Sequence, residues 1–532
     1  KSRKAFYLHI LSRQTDLLIS SLPRKRVMKL VPLLVLTSVS AARPLLLQLL
    51  FSSSSSFRFL TTVTAFSSSS TMAMTTSTTA AAKKMKHIVV VGGGVQGTSV
   101  AYQLLQKAKQ ENSNNKDKLQ ITILESKAPA SAASGKGGGF MARSWGDGTS
   151  TQDLHHLAFD LYEDLATELG CTSYRKLPVL SVAPEGGRNG NGVSKATQDA
   201  SLQPLMPSWL DGKSISRIQP MGYGDDTAQI TPKEFVEKML QSCTKDISVV
   251  LGTCTGMVTT KTSSDDDEMI TVTGVRYQPR GSDDESKEQQ EQEEEEQTLS
   301  ADAVVISAGP WSCQAEDWFA GSNIVLPMEG VKSTSIVWKQ PEDLKKKKNE
   351  ENNNENGVDA TALFCGEDDR FQTHLEVYPR PDGTIYICGI GGSDYVTKEE
   401  LKQGAFRETI SANTVRVQAA SDSFKELSTI YQAQGELEKT QACMRPCPPD
   451  ALPYMGYIPN YSNAYINAGH NCWGIAWAPA CGVVMSELVL EGTAHSVNLD
   501  PFDPGRFSPK AVTKKRGGRG RKQQGTNVGE QW

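Results

Sequence analysis

A glycine-rich turn constrains the fold of this chain more than any other feature. The residues before it, Ile88–Val91, are an unbroken β-branched run, which predicts a strand buried on both faces in a parallel sheet. Gly92, Gly94 and Gly97 follow in G-x-G-x-x-G spacing, and Thr98–Lys107 carries apolar residues at helical intervals. This order predicts a strand, a tight turn and a helix whose N-terminus binds a pyrophosphate.

A second predicted strand strengthens the dinucleotide interpretation. Leu119–Leu124 ends in Glu125, and an acidic residue at this point accepts hydrogen bonds from ribose hydroxyls. The distance from Gly97 to Glu125 is longer than usual, and the polar run Lys109–Lys118 reads as an inserted loop that explains it. The alternative is an ordinary βαβ unit with a tight glycine turn.

Composition indicates a globular protein diluted by polar inserts. The 532 residues include 56 Lys and Arg against 60 Asp and Glu, a net charge of −4. This balance favours neither nucleic acid nor a membrane as the main partner. The ten cysteines form no C-x-x-C pair, so we expect no metal site and no disulfide framework.

Residues 1–85 have the composition of a targeting presequence. No Asp or Glu occurs between Leu17 and Gln110, whereas Arg, Lys, Ser and Thr are plentiful. The apolar run Leu30–Val39, followed by serine runs, resembles the two-part presequences of proteins imported into complex plastids. We therefore expect an organelle location, with a plastid favoured over a mitochondrion; a tail without function is the alternative. Pro32 and Arg43 interrupt the apolar stretch, so no membrane span is expected.

The remainder of the chain mixes helical and strand-like segments. A glycine-rich loop contains Ser134 and Gly135, and a third buried strand runs from Ala301 to Ser307 before Ala308 and Gly309. Small residues at the carboxyl end of a strand allow a cofactor to lie against the backbone. The acidic runs 265–268 and 281–300 are predicted to be solvated hairpin tips, and the basic tail 508–532 to be disordered.

Four blocks of sequence stand in a recognisable order. They are Val91–Gly97, Ala303–Ser312, Cys443–Gly456 and Ala468–Gly482. Together they resemble the FAD-dependent oxidoreductases of the D-amino-acid oxidase superfamily, in the branch of glycine oxidase and sarcosine oxidase. The likeness covers about residues 86–507, apart from the inserts.

The resemblance implies an α/β fold in two domains. One is an FAD-binding, doubly wound domain, Rossmann-like and of the glutathione-reductase type; the other is an α+β substrate domain on an antiparallel sheet. The expected FAD-binding segments are 86–165, 228–312 and 443–507, and the substrate segments are 166–227 and 313–442. The alternation of βαβ units with long antiparallel stretches supports two sheets.

The resemblance also implies a chemistry. The flavin of such enzymes takes a hydride from the carbon next to an amine, and water hydrolyses the resulting imine. Dioxygen then reoxidises the flavin and gives hydrogen peroxide. Sarcosine oxidases carry a lysine just after the segment that corresponds to Tyr386–Gly392, and this chain has none up to Asp394. A quinone or a carrier protein is therefore an alternative acceptor.

Two other functions remain open at this point. A flavoprotein kept for assembly or scaffolding is the first, and an NAD-binding enzyme is the second. The block around Gly469 disfavours NAD, because it matches FAD proteins.

The resemblance assigns the cofactor contacts to four parts of the chain. The predicted FAD-binding residues are Gly92, Gly94, Val95, Gln96, Gly97, Glu125, Ser134, Gly135, Ala308, Gly309, Cys443, Gly469, Asn471, Cys472, Trp473 and Gly474. The last five precede the final helix, whose N-terminus would stabilise the negative charge of reduced flavin.

Arg445 and His470 are the candidates for the reaction site. In glycine oxidase-like relatives the arginine of an R-P…D-G-x-P block holds the substrate carboxylate, and a guanidinium fork suits that role. Here Ala451 replaces the glycine of the block. The alternative is that Arg445 pairs with a buried Asp or Glu, for instance Asp450. His470 either reaches the reaction site or anchors the turn, and we assign it no acid–base role.

Cys443 precedes Arg445 by two residues. In an extended segment both side chains face the same way, so one strand can present a thiol and a guanidinium to one pocket. In the sarcosine oxidase branch a cysteine at this offset is joined to the flavin 8α-methyl group. The alternative is a small buried residue, the usual state of a free cysteine.

Overall fold

The computed structural model describes residues 86–111, 119–184, 203–264, 267–281, 295–350 and 359–509. The predicted presequence lies outside these residues, as does the tail beyond residue 509, and both stay predictions. The described residues belong to one compact unit.

Strands and helices alternate through most of this part of the chain. The strands are β1 His87–Val91, β2 Gln120–Glu125, β3 Phe140–Ala142, β4 Arg175–Lys176, β5 Val179–Pro184, β6 Ile215–Gly222, β7 Thr227–Gln229, β8 Ile247–Ser264, β9 Asp267–Pro279, β10 Gln297–Ser300, β11 Ala303–Ile306, β12 Glu329–Trp338, β13 Ala362–Cys365, β14 Glu376–Pro379, β15 Ile385–Cys388, β16 Asp394–Val396, β17 Leu437–Cys447, β18 Tyr454–Tyr457 and β19 Ala464–Ala468. The α-helices are α1 Val95–Glu111, α2 Gln152–Leu169, α3 Pro232–Ser242, α4 Ala315–Trp318, α5 Glu342–Glu350, α6 Lys398–Lys402, α7 Thr414–Leu427, α8 Thr429–Gln434 and α9 Gly474–Glu491.

The first sheet has eight strands in the order β10-β9-β8-β2-β1-β11-β19-β18. The central strands β8, β2, β1, β11 and β19 are parallel. The β8–β9 hairpin and β10 form one antiparallel edge, and β18 forms the other. Helices cover one face of the parallel centre, and residues of β8 and β9 pack on the other face. The predicted α/β FAD-binding fold is confirmed.

Burial on both faces explains why β1 is an unbroken apolar run. Ile88 and Val90 face the core that α1, α2, α3 and α9 share, whereas Val89 and Val91 face a second core on the other side of the sheet. Ile88, Val89 and Val90 are 0% exposed. Each such side chain contributes about 1.5–3 kcal/mol to folding through its burial, so neither face tolerates a polar residue.

The second sheet carries the other side of the site. Its order is β16-β12-β15-β14-β13-β5-β6, and β17 pairs with β12 along ten registered positions from Glu329 to Trp338. All neighbours are antiparallel except β13 and β5, which run parallel. Helices α7 and α8 cover one face of this sheet through a core that includes Phe424 and Tyr431. The predicted antiparallel sheet is therefore present.

One predicted boundary falls inside a strand. The sequence divided the chain at residue 443, but β17 runs without a break from Leu437 to Cys447 because it stays hydrogen-bonded to β12 throughout. Cys443 and Arg445 therefore belong to the second sheet, and the strand brings them to the cavity from that side.

The strand ends also differ from the sequence-based bounds. The strand predicted from Ala301 to Ser307 is the shorter strand β11, Ala303–Ile306, and a break at Ala301–Asp302 separates it from β10. Asn463 stabilises the chain at this break, because its side-chain amide donates hydrogen bonds to the carbonyls of Asp302 and Val272, each at 2.8 Å.

Helix α9 is the most apolar helix of the described chain. Together with the turn before it, Asn471–Glu491, it is long and apolar enough to cross a membrane by length and composition. Most of this segment is buried against α1 and α2. Its place in the core accounts for its composition.

Candidate cofactor and reaction site

A cavity of about 330 Å³ opens at the carboxyl ends of β1, β2, β11 and β19. The second sheet forms its other wall. Sixteen of the eighteen predicted site residues line this cavity. They are Gly92, Gly94, Val95, Gln96, Glu125, Ser134, Ala308, Gly309, Cys443, Arg445 and Gly469–Gly474. Gly97 and Gly135 do not line it.

The turn after β1 requires glycine for backbone and steric reasons. Gly92 has φ +110°, and a Cβ there would lie 2.4 Å from the carbonyl oxygen of Ser307. A Cβ on Gly97 would lie 1.9 Å from the carbonyl oxygen of Gly92. Gly97 thus lets α1 pack closely on the turn and contributes to the cavity only through that packing.

Gly94 differs from these two glycines because its missing side chain leaves open space. The nearest atom to a Cβ on Gly94 is the Ser134 hydroxyl at 3.0 Å. That hydroxyl accepts a hydrogen bond from the Val95 amide at 2.9 Å and so ties the glycine-rich loop to the start of α1. Gly135 supports the same loop, since a Cβ there would lie 2.0 Å from the Ala130 carbonyl oxygen.

The Glu125 carboxylate is held rigidly but keeps acceptor capacity. Its Oε2 accepts from the Gly93 amide at 2.7 Å, and its Oε1 accepts from the Lys127 amide at 3.0 Å and the Ser126 hydroxyl at 3.2 Å. Each carboxylate oxygen has two lone pairs. One acceptor position on Oε2 is therefore available for a ribose hydroxyl.

Two polar side chains that line the cavity each have a buried atom without a hydrogen-bond partner among the described residues. Within the described residues the Ser307 hydroxyl and the Asn467 Oδ1 have no hydrogen-bond partner. The Asn467 amide donates to Gln96 Oε1 at 3.0 Å, and Gln96 Nε2 donates to the Gly474 carbonyl at 2.6 Å. Unpartnered buried polar groups are rare in proteins, and both residues line the cavity, which fits a polar ligand there.

The turn before α9 presents the positive end of that helix to the cavity. Asn471–Trp473 forms a 3₁₀ turn that runs directly into α9 at Gly474. Asn471 has φ +49°, and its Oδ1 accepts from the Cys447 thiol at 3.1 Å. Strand β17 thereby holds the turn, and the helix end favours negative charge in front of it.

His470 belongs to this turn, and its ring packs against α9. It is 2% exposed, and burial lowers its pKa from 6.5 to about 3. Its Nε2 lies 3.5 Å from the Cys481 sulfur, and its ring is edge-on to Trp477. A neutral imidazole packed on α9 favours the anchoring role over a role in the reaction.

Arg445 projects from β17 beside Val331 and Ser333 of β12. Its Nε donates to the Ser333 hydroxyl at 3.1 Å, which orients the guanidinium fork. The alternative partner, Asp450, instead makes a two-pronged pair with Arg506, at 2.8 Å from Nε and 3.1 Å from Nη2. Asp450 is therefore not the partner of Arg445.

Cys443 faces the cavity from the same strand, opposite Ser333. Burial raises the pKa of its thiol, and the nearby charges of Arg445 and Lys136 oppose that rise. Lys136 reaches this point from the glycine-rich loop, with its ammonium donating to the Ala442 carbonyl at 2.9 Å.

The sequence also missed the wall that β14 and β15 build. Glu376 and Tyr378 stand directly opposite Cys388 and Tyr386, and all four line the cavity. The intervening Val377 and Ile387 face the core below α7. Alternation of this kind in the sequence predicts one buried face, but it does not show that the other face lines a site.

Aromatic rings close the cavity at this end. Phe140 stacks on Tyr378 with centroids 5.4 Å apart, and Trp145 meets Phe364 edge-on at 5.1 Å. Trp473 approaches Trp145 at 6.5 Å. These rings come from four separate segments, so only the folded chain brings them together.

The fold and the cavity define a dinucleotide-binding protein with a polar pocket beyond the dinucleotide. The family model described as DAO, FAD dependent oxidoreductase, matches residues 87–488. The chain belongs to this family of FAD-dependent oxidoreductases. The predicted cofactor, FAD, is confirmed, and so is the predicted superfamily. The glycine turn, Glu125 and the α9 turn are the residues that would hold it.

Similar sequences come from fungi and bacteria. A Schizosaccharomyces pombe protein named "Putative oxidoreductase C1F5.03c" is 27% identical over 422 residues, which are 77% of this chain and 96% of that protein. A glycine oxidase of Pseudomonas putida is 27% identical over 207 residues, 39% of this chain and 46% of that protein.

Solved structures share the fold. The L-proline dehydrogenase of P. horikoshii has a TM-score of 0.57 at 16% identity and covers 80% of this chain and 98% of its own. The glycine oxidase of Geobacillus kaustophilus has a TM-score of 0.53 at 17% identity and covers 79% and 99%.

Proposed function

We propose that this protein oxidises the C–N bond of a small amino acid or amine. FAD, when bound, supplies a two-electron acceptor for the hydride of the carbon next to nitrogen. The observation that carries the proposal is a single cavity lined both by the Gly92 turn and by Arg445. A ligand beyond the dinucleotide therefore lies beside a guanidinium.

Arg445 is the proposed carboxylate-binding residue. Its fork is oriented by Ser333, and it lies in the half-buried part of the cavity, where a charge-assisted pair is stronger than in water. Asp450 is occupied by Arg506 and does not compete for it.

The surrounding residues prepare the pocket for charge transfer. The positive end of α9 stabilises negative charge that develops in front of Gly474. Phe140, Trp145 and Phe364 give this end of the pocket an apolar lining, and electrostatic contacts are stronger beside apolar groups than in water.

The electron acceptor is proposed to be dioxygen, with hydrogen peroxide as the product, or a redox carrier. The cavity segment that starts at Tyr386 contributes Cys388–Gly391 and Ser393 but no lysine. Hydrogen peroxide release during turnover in air, measured beside turnover with an added quinone, distinguishes the two acceptors.

Cys443 has two possible roles, a covalent bond to the flavin or packing, and one experiment distinguishes them. A thioether to the flavin leaves yellow colour in the acid-precipitated pellet, and the colour is lost in Cys443→Ala. A packing residue leaves all flavin in the supernatant. The raised pKa of the thiol lowers the thiolate fraction, which supports the packing role.

The proposed location is an organelle, with a plastid favoured over a mitochondrion. This proposal depends on the acid-free composition of residues 17–110. A fluorescent fusion of residues 1–85 tests it: cytosolic fluorescence contradicts import.

An amino-acid panel tests the proposed reaction. The purified holoprotein is mixed anaerobically with glycine, sarcosine, and the D and L forms of alanine, proline and phenylalanine, and the flavin absorption is followed. Bleaching by at least one compound supports oxidation. An FAD-loaded protein that no amine or amino acid bleaches contradicts it and favours the assembly or scaffolding role.

A further inference from the structure

A carboxylate shares the cavity wall with Arg445, and the reaction outlined above does not use it. Glu376 is the first residue of β14 and lines the cavity. It stands opposite Cys388 on one side and Phe364 on the other. Because β14, β15, β12 and β17 are neighbours in one sheet, Glu376 and Arg445 are presented to the same space.

Two hydrogen bonds hold this carboxylate in one orientation. The Tyr378 hydroxyl donates to Oε2, and the Cys388 thiol donates to the same oxygen at 3.4 Å. Within the described residues Oε1 accepts no hydrogen bond. An ionised carboxylate accepts up to four hydrogen bonds, so its remaining acceptor positions are available to a ligand in the cavity.

The charges around Glu376 match those of an amino acid. Arg445 lies close enough for its charge and that of Glu376 to interact. A zwitterion carries one negative and one positive group a few bonds apart, and this wall carries the opposite pair. Phe140, Phe364 and Tyr378 line the cavity beside this wall and pack against one another.

We propose that Glu376 binds the ammonium group of the substrate, so that the site selects zwitterionic amino acids over simple carboxylates and simple amines. The proposal rests on the proposed function, which places the substrate carboxylate on Arg445. Glu376 is then a specificity residue that holds the substrate nitrogen, while Arg445 holds the substrate carboxylate. Tyr378 and Cys388 are positioning residues, since they act on the substrate only through Glu376.

Two probes that each carry one charge separate the two anchors. Benzylamine carries only the cation and benzoate only the anion, and both offer a ring for the aromatic wall. Each is titrated anaerobically into the FAD-loaded protein, and binding is followed through the flavin spectrum. Glu376→Gln, which keeps size and an acceptor oxygen for Tyr378, should weaken benzylamine binding about 10- to 100-fold. Benzoate binding should stay the same or become tighter.

The results that overturn the proposal are distinct from those that overturn the proposed function. If benzylamine does not bind the unsubstituted holoprotein, or binds Glu376→Gln equally well, Glu376 is not an ammonium site. Benzoate binding that survives Arg445→Gln contradicts the carboxylate role of Arg445 and leaves the benzylamine result intact.

A conservative variant separates charge from structure. Glu376→Asp keeps the negative charge and should bind benzylamine more tightly than Glu376→Gln does. If the Asp and Gln variants bind benzylamine equally weakly, or if both lose FAD, Glu376 supports the sheet and the proposal fails.

Discussion

The two ends of the cavity differ in whether backbone or side chains form them. At the dinucleotide end the chain uses backbone: the turn at Gly92, the open space at Gly94 and the start of α1. At the other end it uses side chains, among them Arg445 and Glu376, on strands that pair across the second sheet. A backbone-built site depends on a few adjacent residues, whereas a side-chain-built site depends on sheet pairing.

The largest effect is expected at Gly97. In Gly97→Ala the new Cβ lies 1.9 Å from the backbone oxygen of Gly92, which cannot move without breaking the turn. We expect destabilisation of about 3 kcal/mol or more, measured as a loss of soluble, folded protein. Gly281→Ala is the matched control, because nothing lies within 4 Å of its Cβ. Equal stability of the two variants would show that the turn is not tightly packed.

Gly94→Val should separate folding from cofactor binding. Its Cβ meets only the Ser134 hydroxyl, so the branched side chain enters the cavity instead of the core. We expect a folded protein whose FAD binding is weakened by about 3 kcal/mol or more, roughly a hundredfold. The flavin-to-protein ratio and thermal unfolding measure this. Normal FAD content in this variant would contradict the backbone-built site.

The contrast also explains what the sequence could predict. The Gly92–Gly97 turn, the buried strand β1 and Glu125 are local patterns, because adjacent residues make the contacts. Both sheets were predicted in outline, and Arg445 and Cys443 were found through the resemblance of their block.

The remaining wall was not visible in the sequence. Glu376 and Arg445 are separated by more than sixty residues along the chain, and only the pairing order β14-β15-β12-β17 makes them neighbours. The predicted boundary at residue 443 falls inside β17 for the same reason, since pairing with β12 continues through it. His470 was left open because its burial against α9 depends on tertiary packing.

His470 provides a pH test of the anchored turn. The folded-state pKa of about 3 lies below the ordinary value of 6.5, because burial disfavours the charged ring. The unfolded chain binds a proton as pH falls below 6.5 while the folded chain does not, so stability falls with pH between these values. We expect a loss of about 2 kcal/mol between pH 7.5 and pH 5 from this residue.

Denaturant unfolding at both pH values measures this loss. His470→Gln should remove about 2 kcal/mol of the pH dependence, since it has no proton to gain. An unchanged pH dependence in the variant would mean that His470 is already charged or exposed in the folded protein. His155 is also buried and has a lowered pKa, so its own contribution remains in the variant.

The smallest effect is expected at Asp450. Its pair with Arg506 is partly exposed, so Asp450→Asn should cost about 1 kcal/mol of stability. KM for an amino-acid substrate should not change, because Asp450 does not hold Arg445. A rise in KM would show that Asp450 does influence the position of Arg445 in the substrate site.

Arg445→Gln tests most directly whether the two ends of the cavity work independently. The flavin-to-protein ratio and the amino-acid concentration that half-saturates anaerobic bleaching are measured on the same preparation. We expect an unchanged flavin-to-protein ratio and a half-saturating concentration that rises about thirtyfold or more, which corresponds to a loss of about 2 kcal/mol of binding free energy. Loss of FAD with an unchanged half-saturating concentration would contradict the division into a backbone-built cofactor end and a side-chain-built substrate end.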